Sequence, residues 1–305
     1  MLAELLKTRR KPGYIIPIYE GQALKDGQKD SLRRRRDVFH PSEISGDFCP
    51  RSWLLHYRDV GLYAKRKITP QNQAWFDVGT ALHSMVQERL GNAGVLWGNW
   101  ICNRWCLDER CKYIGFKPDD RVCPKIDTRK PQWEYCELPV VDEELNIEGS
   151  TDGVCVLPIG KYVFEFKTAN TNTYNTLVEP LEIHKEQTMW YLDILSRKDR
   201  ELEKMFMLLQ ADGIDTAENL SVVRMPFRGV ITLYMNKNDQ SLREFIVDDH
   251  TKVHLPAKVR IEDEEDLTVK EVIEEKKIVL KETLVHREKG TLPPKLDVCI
   301  SKSCA

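Results

Sequence analysis

The chain has 305 residues, 41% hydrophobic and 31% charged, with a formal net charge of −2. That length and apolar content can bury a substantial core in one large domain, or in one domain with an insertion. The near-zero charge excludes a uniformly basic nucleic-acid coat, and no apolar run approaches the ~20 residues of a membrane-crossing helix.

Residues 1–40 read as a basic arm, with Lys7, Arg9, Arg10, Lys11 and the run Arg33-Arg34-Arg35-Arg36, whereas 262–275 is mostly acidic. Such local patches bind phosphates while the total charge stays small. The first residues lack a signal-peptide core, so a cytoplasmic chain is expected. Its nine cysteines then point to metal ligation rather than disulfides.

Ser42 is placed to cap a helix running through Phe48, Trp53, Leu54 and Tyr57. Pro70 opens a second helix, in which Trp75, Val78, Leu82, Met85, Val86 and Leu90 recur at helical spacing before Gly91 and Gly94. Residues 95–136, rich in cysteine, charge and proline, show no clear period and read as an insertion. Strands are expected at 138–141, 150–157 and 161–167, with a turn at Pro158-Ile159-Gly160. Pro180 introduces a helix through Ile194 and Leu195, and 201–212 reads as another. Residues 230–235 and 244–247 form a hairpin, and a charged helix spans roughly 266–288 with Val269, Val272, Ile273, Leu280 and Leu284 as its apolar stripe. The expected fold is a mixed β-sheet flanked by helices: a core at 41–289 after the arm, and a cysteine-containing tail at 290–305.

Four pieces of this pattern carry chemistry. In Lys161-Tyr-Val-Phe-Glu-Phe-Lys167, period-two alternation puts Glu165 and Lys167 on one face and Tyr162, Phe164 and Phe166 on the other. A carboxylate and an ammonium held this way can place a metal beside a water. Taken alone, the same spacing favours a surface neighbour pair, because E-x-K is common. Asp152, thirteen positions earlier (165 minus 152) in Ser150-Thr-Asp-Gly-Val, returns beside Glu165 through the hairpin. His83 follows Gly79 on the second helix, and Gln187 and Tyr191 lie at i and i+4 on a later one.

In this order, the G-x3-H helix (Gly79, His83), the D-G strand (Asp152, Gly153), the E-x-K strand (Glu165, Lys167) and Q-x3-Y (Gln187, Tyr191) resemble the RecB-like nucleases of the PD-(D/E)XK superfamily. That group includes the CRISPR-associated adaptation nucleases and related phage exonucleases, and the motifs span residues 42–250. The resemblance implies that Asp152, Glu165, His83 and the backbone carbonyl of Phe166 hold one Mg²⁺ or Mn²⁺. It implies further that Lys167 positions the attacking water, and that Gln187 and Tyr191 contact DNA. The implied activity is metal-dependent DNA hydrolysis, read as an exonuclease of replication, recombination or repair working with other proteins of those processes. The alternatives are a non-catalytic zinc and iron–sulfur DNA-binding module and a sequence-specific endonuclease of the same fold.

The cysteines divide into two groups. Cys102, Cys106, Cys111 and Cys123, with Cys136 able to replace any one of them, are candidates for a structural Zn²⁺, although their spacing does not form a clean ribbon of two C-x2-C knuckles. Free buried thiols are the alternative. Cys49, in Phe48-Cys-Pro-Arg51, resembles the early ligand of the iron–sulfur branch of the same superfamily, which adds three late cysteines. Cys299 and Cys304 supply two of those, so a [4Fe-4S] cluster lacks one ligand. Cys155 reads as plain core.

Overall fold

The computed structural model describes residues 18, 20–25, 35–58, 69–106, 109–118, 133–212, 216–253 and 267–294. Helices are α1 (Pro41–Ile44), α2 (Pro50–Arg58), α3 (Pro70–Asn92), α4 (Thr171–Thr176), α5 (Glu182–Ala211), α6 (Ala217–Arg224) and α7 (Val269–Glu288). Strands are β1 (Leu96–Cys106), β2 (Glu109–Phe116), β3 (Trp133–Cys136), β4 (Leu138–Asp142), β5 (Ile147–Thr151), β6 (Gly153–Leu157), β7 (Gly160–Ala169), β8 (Phe227–Asn236) and β9 (Leu242–Val247).

The main sheet runs β2-β1-β6-β7-β8-β9, with β3 also pairing β1, and β4 and β5 form a separate ribbon. β7 and β8 are parallel, from Lys161↔Phe227 to Ala169↔Asn236, and the other pairings are antiparallel. The sheet is therefore mixed, as expected. The parallel pair needs a long crossover, which α4, α5 and α6 supply.

Alternation along β7 decides which helix lies on which face. Tyr162, Phe164 and Phe166 join Val86 of α3, Leu96 and Trp100 in one apolar layer. Val163 faces the other way, into a larger core with Trp190, Ile194 and Leu195 of α5, Val223 of α6 and Ile273 of α7. A single 23-residue helix, α3, thus covers one side, capped by Thr69 Oγ1 accepting from Asn72 N at 3.1 Å and opened by Pro70. Its last turn comes close to β1 because Gly91 lacks a side chain; a Cβ there would strike the Trp100 ring.

Several elements differ from the sequence expectation. The first helix is two pieces, α1 and α2, separated at Gly46 (φ 72°); His40 rather than Ser42 is the residue ahead of α1, and Pro41 takes its first position. The segment 95–136 contains three strands, β1 to β3, and β1 joins the main sheet through Leu96↔Cys155 and Trp97↔Val154. Its alternation is hidden because Leu96, Trp97 and Trp100 are all buried, between the sheet's two layers. Helix α5 runs unbroken through residues 196–200, a polar stretch held by Lys161–Asp199 and by Arg197 to Asp142 and Asp193. Helix α6 carries no clear period in the sequence. Among the described residues no helix is long and apolar enough to cross a membrane.

Candidate active site

The expected strand over 150–157 is two strands in two sheets. β5 pairs β4 in the ribbon, β6 pairs β7 in the main sheet, and Asp152 is the residue between them. Gly153 makes the crossing possible. Its φ of +150° suits glycine, and a Cβ there would lie 2.5 Å from Leu96 Cδ1 and 2.6 Å from Tyr135 Oη.

Because β6 leaves the sheet at Gly153↔Phe164, the rest of β7 has no strand on that edge. The backbone N–H of Phe166 would face open space, and the Asp152 carboxylate accepts it, N to Oδ2 at 2.7 Å. Thr151 Oγ1 likewise donates to Phe164 O at 3.0 Å. Asp152 therefore stands where a strand neighbour would, with Oδ1 turned to His83 across the gap left beside β7, which is the cleft of the candidate site. The N–H and C=O of one strand residue point to the same edge, so the carbonyl of Phe166 faces this cleft too.

His83 reaches the cleft from α3. Its Nδ1 lies 2.9 Å from Asp152 Oδ1, and its ring packs edge-on to Phe166 at 4.8 Å between centroids. Burial lowers its pKa, but the hydrogen bond to Asp152 and the charges of Asp152 and Glu165 outweigh this and hold it above the usual value. One helical turn on, Gln87 donates to the Asp152 backbone carbonyl at 3.3 Å.

Glu165 and Lys167 share the face of β7 turned toward α5. Lys167 Nζ donates to Glu165 Oε1 at 2.7 Å and to Gln187 Oε1 at 3.2 Å, while Gln187 Nε2 donates to Tyr191 Oη at 2.6 Å. Glu165 is 4% exposed and Asp152 3%. Burial pushes the Glu165 carboxyl up to about 7; Lys167 opposes the rise and the Asp152 charge adds to it. Burial also raises the Tyr191 phenol well above its usual value.

The six polar motif side chains thus form two hydrogen-bonded groups, His83–Asp152 on one side of β7 and Glu165–Lys167–Gln187–Tyr191 on the other, with Asp152 also tied to β7 through the Phe166 N–H. Gln187 and Tyr191 are buried and turned toward Lys167 and each other. Tyr191 also borders a cleft of about 430 Å³ lined by His40, Pro41, Ser42, Glu148, Gly149 and Ser150. Gln87 and Thr151 also line the site without belonging to a motif; the position of Gln87, at i+4 from His83, is the one signal the sequence carries for them.

Among the described residues no three His, Cys, Asp or Glu side chains form a ready-made metal cage. The His83–Asp152 and Lys167–Glu165 contacts occupy atoms that the expected Mg²⁺ or Mn²⁺ would use. The donor chemistry still fits a hard cation: two buried carboxylates lie near each other, and the second is costly to ionise without added positive charge.

The cysteine expectations fall mostly outside the described residues. Cys102 is buried in the apolar layer beneath α3. Cys106 and Cys111 lie on β1 and β2, and their side chains are outside the described set, as is Cys123. Cys136, at the end of β3, is exposed, and Cys155 is core, its thiol pushed up to about 12 by burial. Cys49 precedes α2, and its Sγ accepts from Ser52 N at 3.4 Å. Arg51 and Arg58 of α2 donate to Pro293 O and Thr291 O, at 2.8 and 2.6 Å, which holds residues 291–293 against α2. Cys299 and Cys304 themselves lie outside the described residues.

No protein-family model matches the chain, and no curated protein does either. Among solved structures, one described as "Crystal structure of SSO0001" is similar over 92% of this chain and 89% of that one, at 11% identity and a TM-score of 0.35. A likeness that faint says nothing about activity, so the reading of this chain rests on its own site.

Proposed function

We propose that the protein is a metal-dependent DNA nuclease with its active site at Asp152, Glu165, Lys167 and His83. The observation carrying this reading is the convergence of four separate elements, α3, the β5–β6 crossing, β7 and α5, on one partly open cleft. The buried Glu165 carboxyl, its pKa raised by burial beside the Lys167 ammonium, is the kind of group that clusters at functional sites. The ordered motifs that resemble RecB-like nucleases support the same reading.

Asp152, Glu165 and His83, with the Phe166 carbonyl, are the residues that would hold Mg²⁺ or Mn²⁺. A divalent ion there offsets phosphate charge and makes water more acidic. Asp152 is kept in place by the Phe166 N–H, which fixes its orientation without consuming Oδ1. Lys167, 19% exposed at its side chain, offers its ammonium to a water or a phosphate oxygen. Gln187 holds that ammonium from behind, and Tyr191 holds Gln187. His83, 29% exposed, forms the solvent side of the cleft.

End-labelled single- and double-stranded DNA, incubated with Mn²⁺, Mg²⁺ or EDTA, tests the proposal. Wild-type protein should shorten DNA only with the metal, and Glu165→Gln and Lys167→Met should each lower the rate at least ~100-fold. An exonuclease leaves closed circular plasmid intact, whereas a sequence-specific endonuclease produces discrete bands. Metal-independent cleavage, or wild-type rates in both variants, would remove this site from the reaction.

A further inference from the structure

Helix α3 carries a second feature, at the end opposite Gly91. Trp75, Phe76 and Val78 are 49%, 59% and 49% exposed, although they belong to the helix that supplies His83. Phe76 and His83 are seven residues apart (83 minus 76), so they share one stripe of the helix at about 10.5 Å of rise. Between them Gly79 leaves the stripe open; a Cβ there would meet only Thr168 Oγ1, at 3.8 Å.

Trp75 is not bare hydrocarbon on an otherwise neutral surface. Lys237, in the turn after β8, sets its ammonium 5.3 Å from the Trp75 ring centroid and donates to the Trp75 carbonyl at 3.4 Å. Its backbone N–H donates to Ala169 O at the end of β7, so the cation is anchored to the strand that carries Glu165 and Lys167. Asp77, the one acid on α3 before Glu88, accepts a hydrogen bond from Gln73 at 2.9 Å. The surface therefore joins two exposed aromatic rings and one cation, with Phe76 on the same helical stripe as His83.

We infer that Trp75, Phe76 and Lys237 form a platform that stacks the unpaired bases of a single nucleic-acid strand entering the cleft. The inference rests on the nuclease reading and names the form of substrate that site receives. Aromatic faces bind any unpaired base by stacking, a nearby ammonium tracks the backbone phosphates, and neither requires a particular sequence. A duplex cannot use the platform, because its base faces are already covered by neighbouring pairs. At ~3.4 Å per stacked base the rise from Phe76 to His83 spans about three nucleotides. The platform therefore grips the strand a few nucleotides from the bond to be cut and sets a minimum single-stranded length.

Binding is measured on the full chain in EDTA, by fluorescence anisotropy, so that hydrolysis plays no part. Three probes are used: a mixed-sequence single strand, the same strand with abasic sites at successive positions, and a blunt duplex. Wild-type protein should bind the intact strand more tightly than the other two. Trp75→Ala with Phe76→Ala should weaken intact-strand binding about 10-fold or more and leave the abasic strand and duplex unchanged. Trp75→Phe should keep most of the affinity. Lys237→Ala should flatten the salt dependence of single-strand binding by about one counterion. Both aromatics are exposed, so the thermal unfolding of the double variant should match wild type. Equal affinity of double variant and wild type for the intact strand, an equal loss on the abasic strand, or no preference for the intact strand would overturn the inference. If the aromatic effect holds but no metal supports hydrolysis, the platform stands and the nuclease reading falls.

Discussion

Glu165→Gln should stabilise the fold at alkaline pH while abolishing hydrolysis. In the folded chain the Glu165 carboxyl is raised from its ordinary 4.5 to about 7, first by burial and then, against Lys167, by the Asp152 charge. The unfolded chain has no such rise. Below pH 4.5 both states hold the proton and there is no penalty. Between 4.5 and 7 the unfolded chain loses its proton first, so stability falls as pH rises, and above 7 the loss is complete. At ~1.36 kcal/mol per unit, the difference accumulated between pH 5 and pH 8 is about 2 to 3 kcal/mol. Glutamine keeps an acceptor for Lys167 Nζ but cannot ionise, so the variant lacks this loss. Urea unfolding of wild type and variant in EDTA at both pH values measures it. The stability difference, variant minus wild type, should grow by ~2 kcal/mol from pH 5 to pH 8. A flat difference would refute the argument that this carboxylate is buried at a cost, and with it the physical reason for a cation at the site.

Other substitutions probe the surroundings. Gly153→Ala adds a Cβ 2.5 Å from Leu96 Cδ1 at a φ of +150°, and should cost about 3 kcal/mol or more by chemical denaturation, with Asp152 displaced and hydrolysis lost; a cost under ~1 kcal/mol would mean the fork tolerates a side chain. Gln187→Leu leaves the Tyr191 hydroxyl without its donor and Lys167 without its second acceptor. It should lower stability by about 1 to 3 kcal/mol and reduce kcat more than it changes KM; a pure KM effect would instead favour direct contact of Gln187 with DNA. His184, 2.6 Å from the Tyr234 hydroxyl, is held at about 3 by burial and then by the Lys167 charge. Its neutral form is favoured by folding, so stability is complete above ~6.5 and declines as pH falls, by about 2 kcal/mol between pH 7 and pH 5. His184→Gln should lack that portion of the acid sensitivity.

The site was more legible in the sequence than the frame around it. Glu165 and Lys167 could be placed on one face because a strand repeats every two residues, and that alternation survives any tertiary arrangement. The joining of His83 to Asp152 needed the motif order, since nothing local to Gly79-Thr-Ala-Leu-His83 says which strand the helix will cover. The fork at Asp152 was invisible. A continuous run of strand-like residues from 150 to 157 has the same composition whether it stays in one sheet or passes between two, and only Gly153 hinted at a break. Strand β1 is hidden in the sequence because burial on both faces erases alternation at its start, and β2 and β3 because charged and proline-rich residues interrupt the stretch. Helix α5 reads in the sequence as two helices because its middle is polar. There the helix is held by ion pairs to β7 and to the β4–β5 ribbon, partners distant in sequence.

The crossing of the chain at Asp152 also bears on synthesis. On a ribosome, α3 emerges early, but it cannot present His83 to anything until the ribbon, the fork and β7 have followed. Lys167 gains its second support only after α5 is out, and the parallel neighbour of β7 waits for β8. Contacts of this separation form late in folding, since the chain must close long loops before they stabilise it. A nascent or truncated chain ending before α5 therefore carries the cleft's acidic residues without the arrangement that gives them chemistry. Because the candidate site is assembled from distant stretches, unfinished copies lack its geometry whatever acidic residues they already carry.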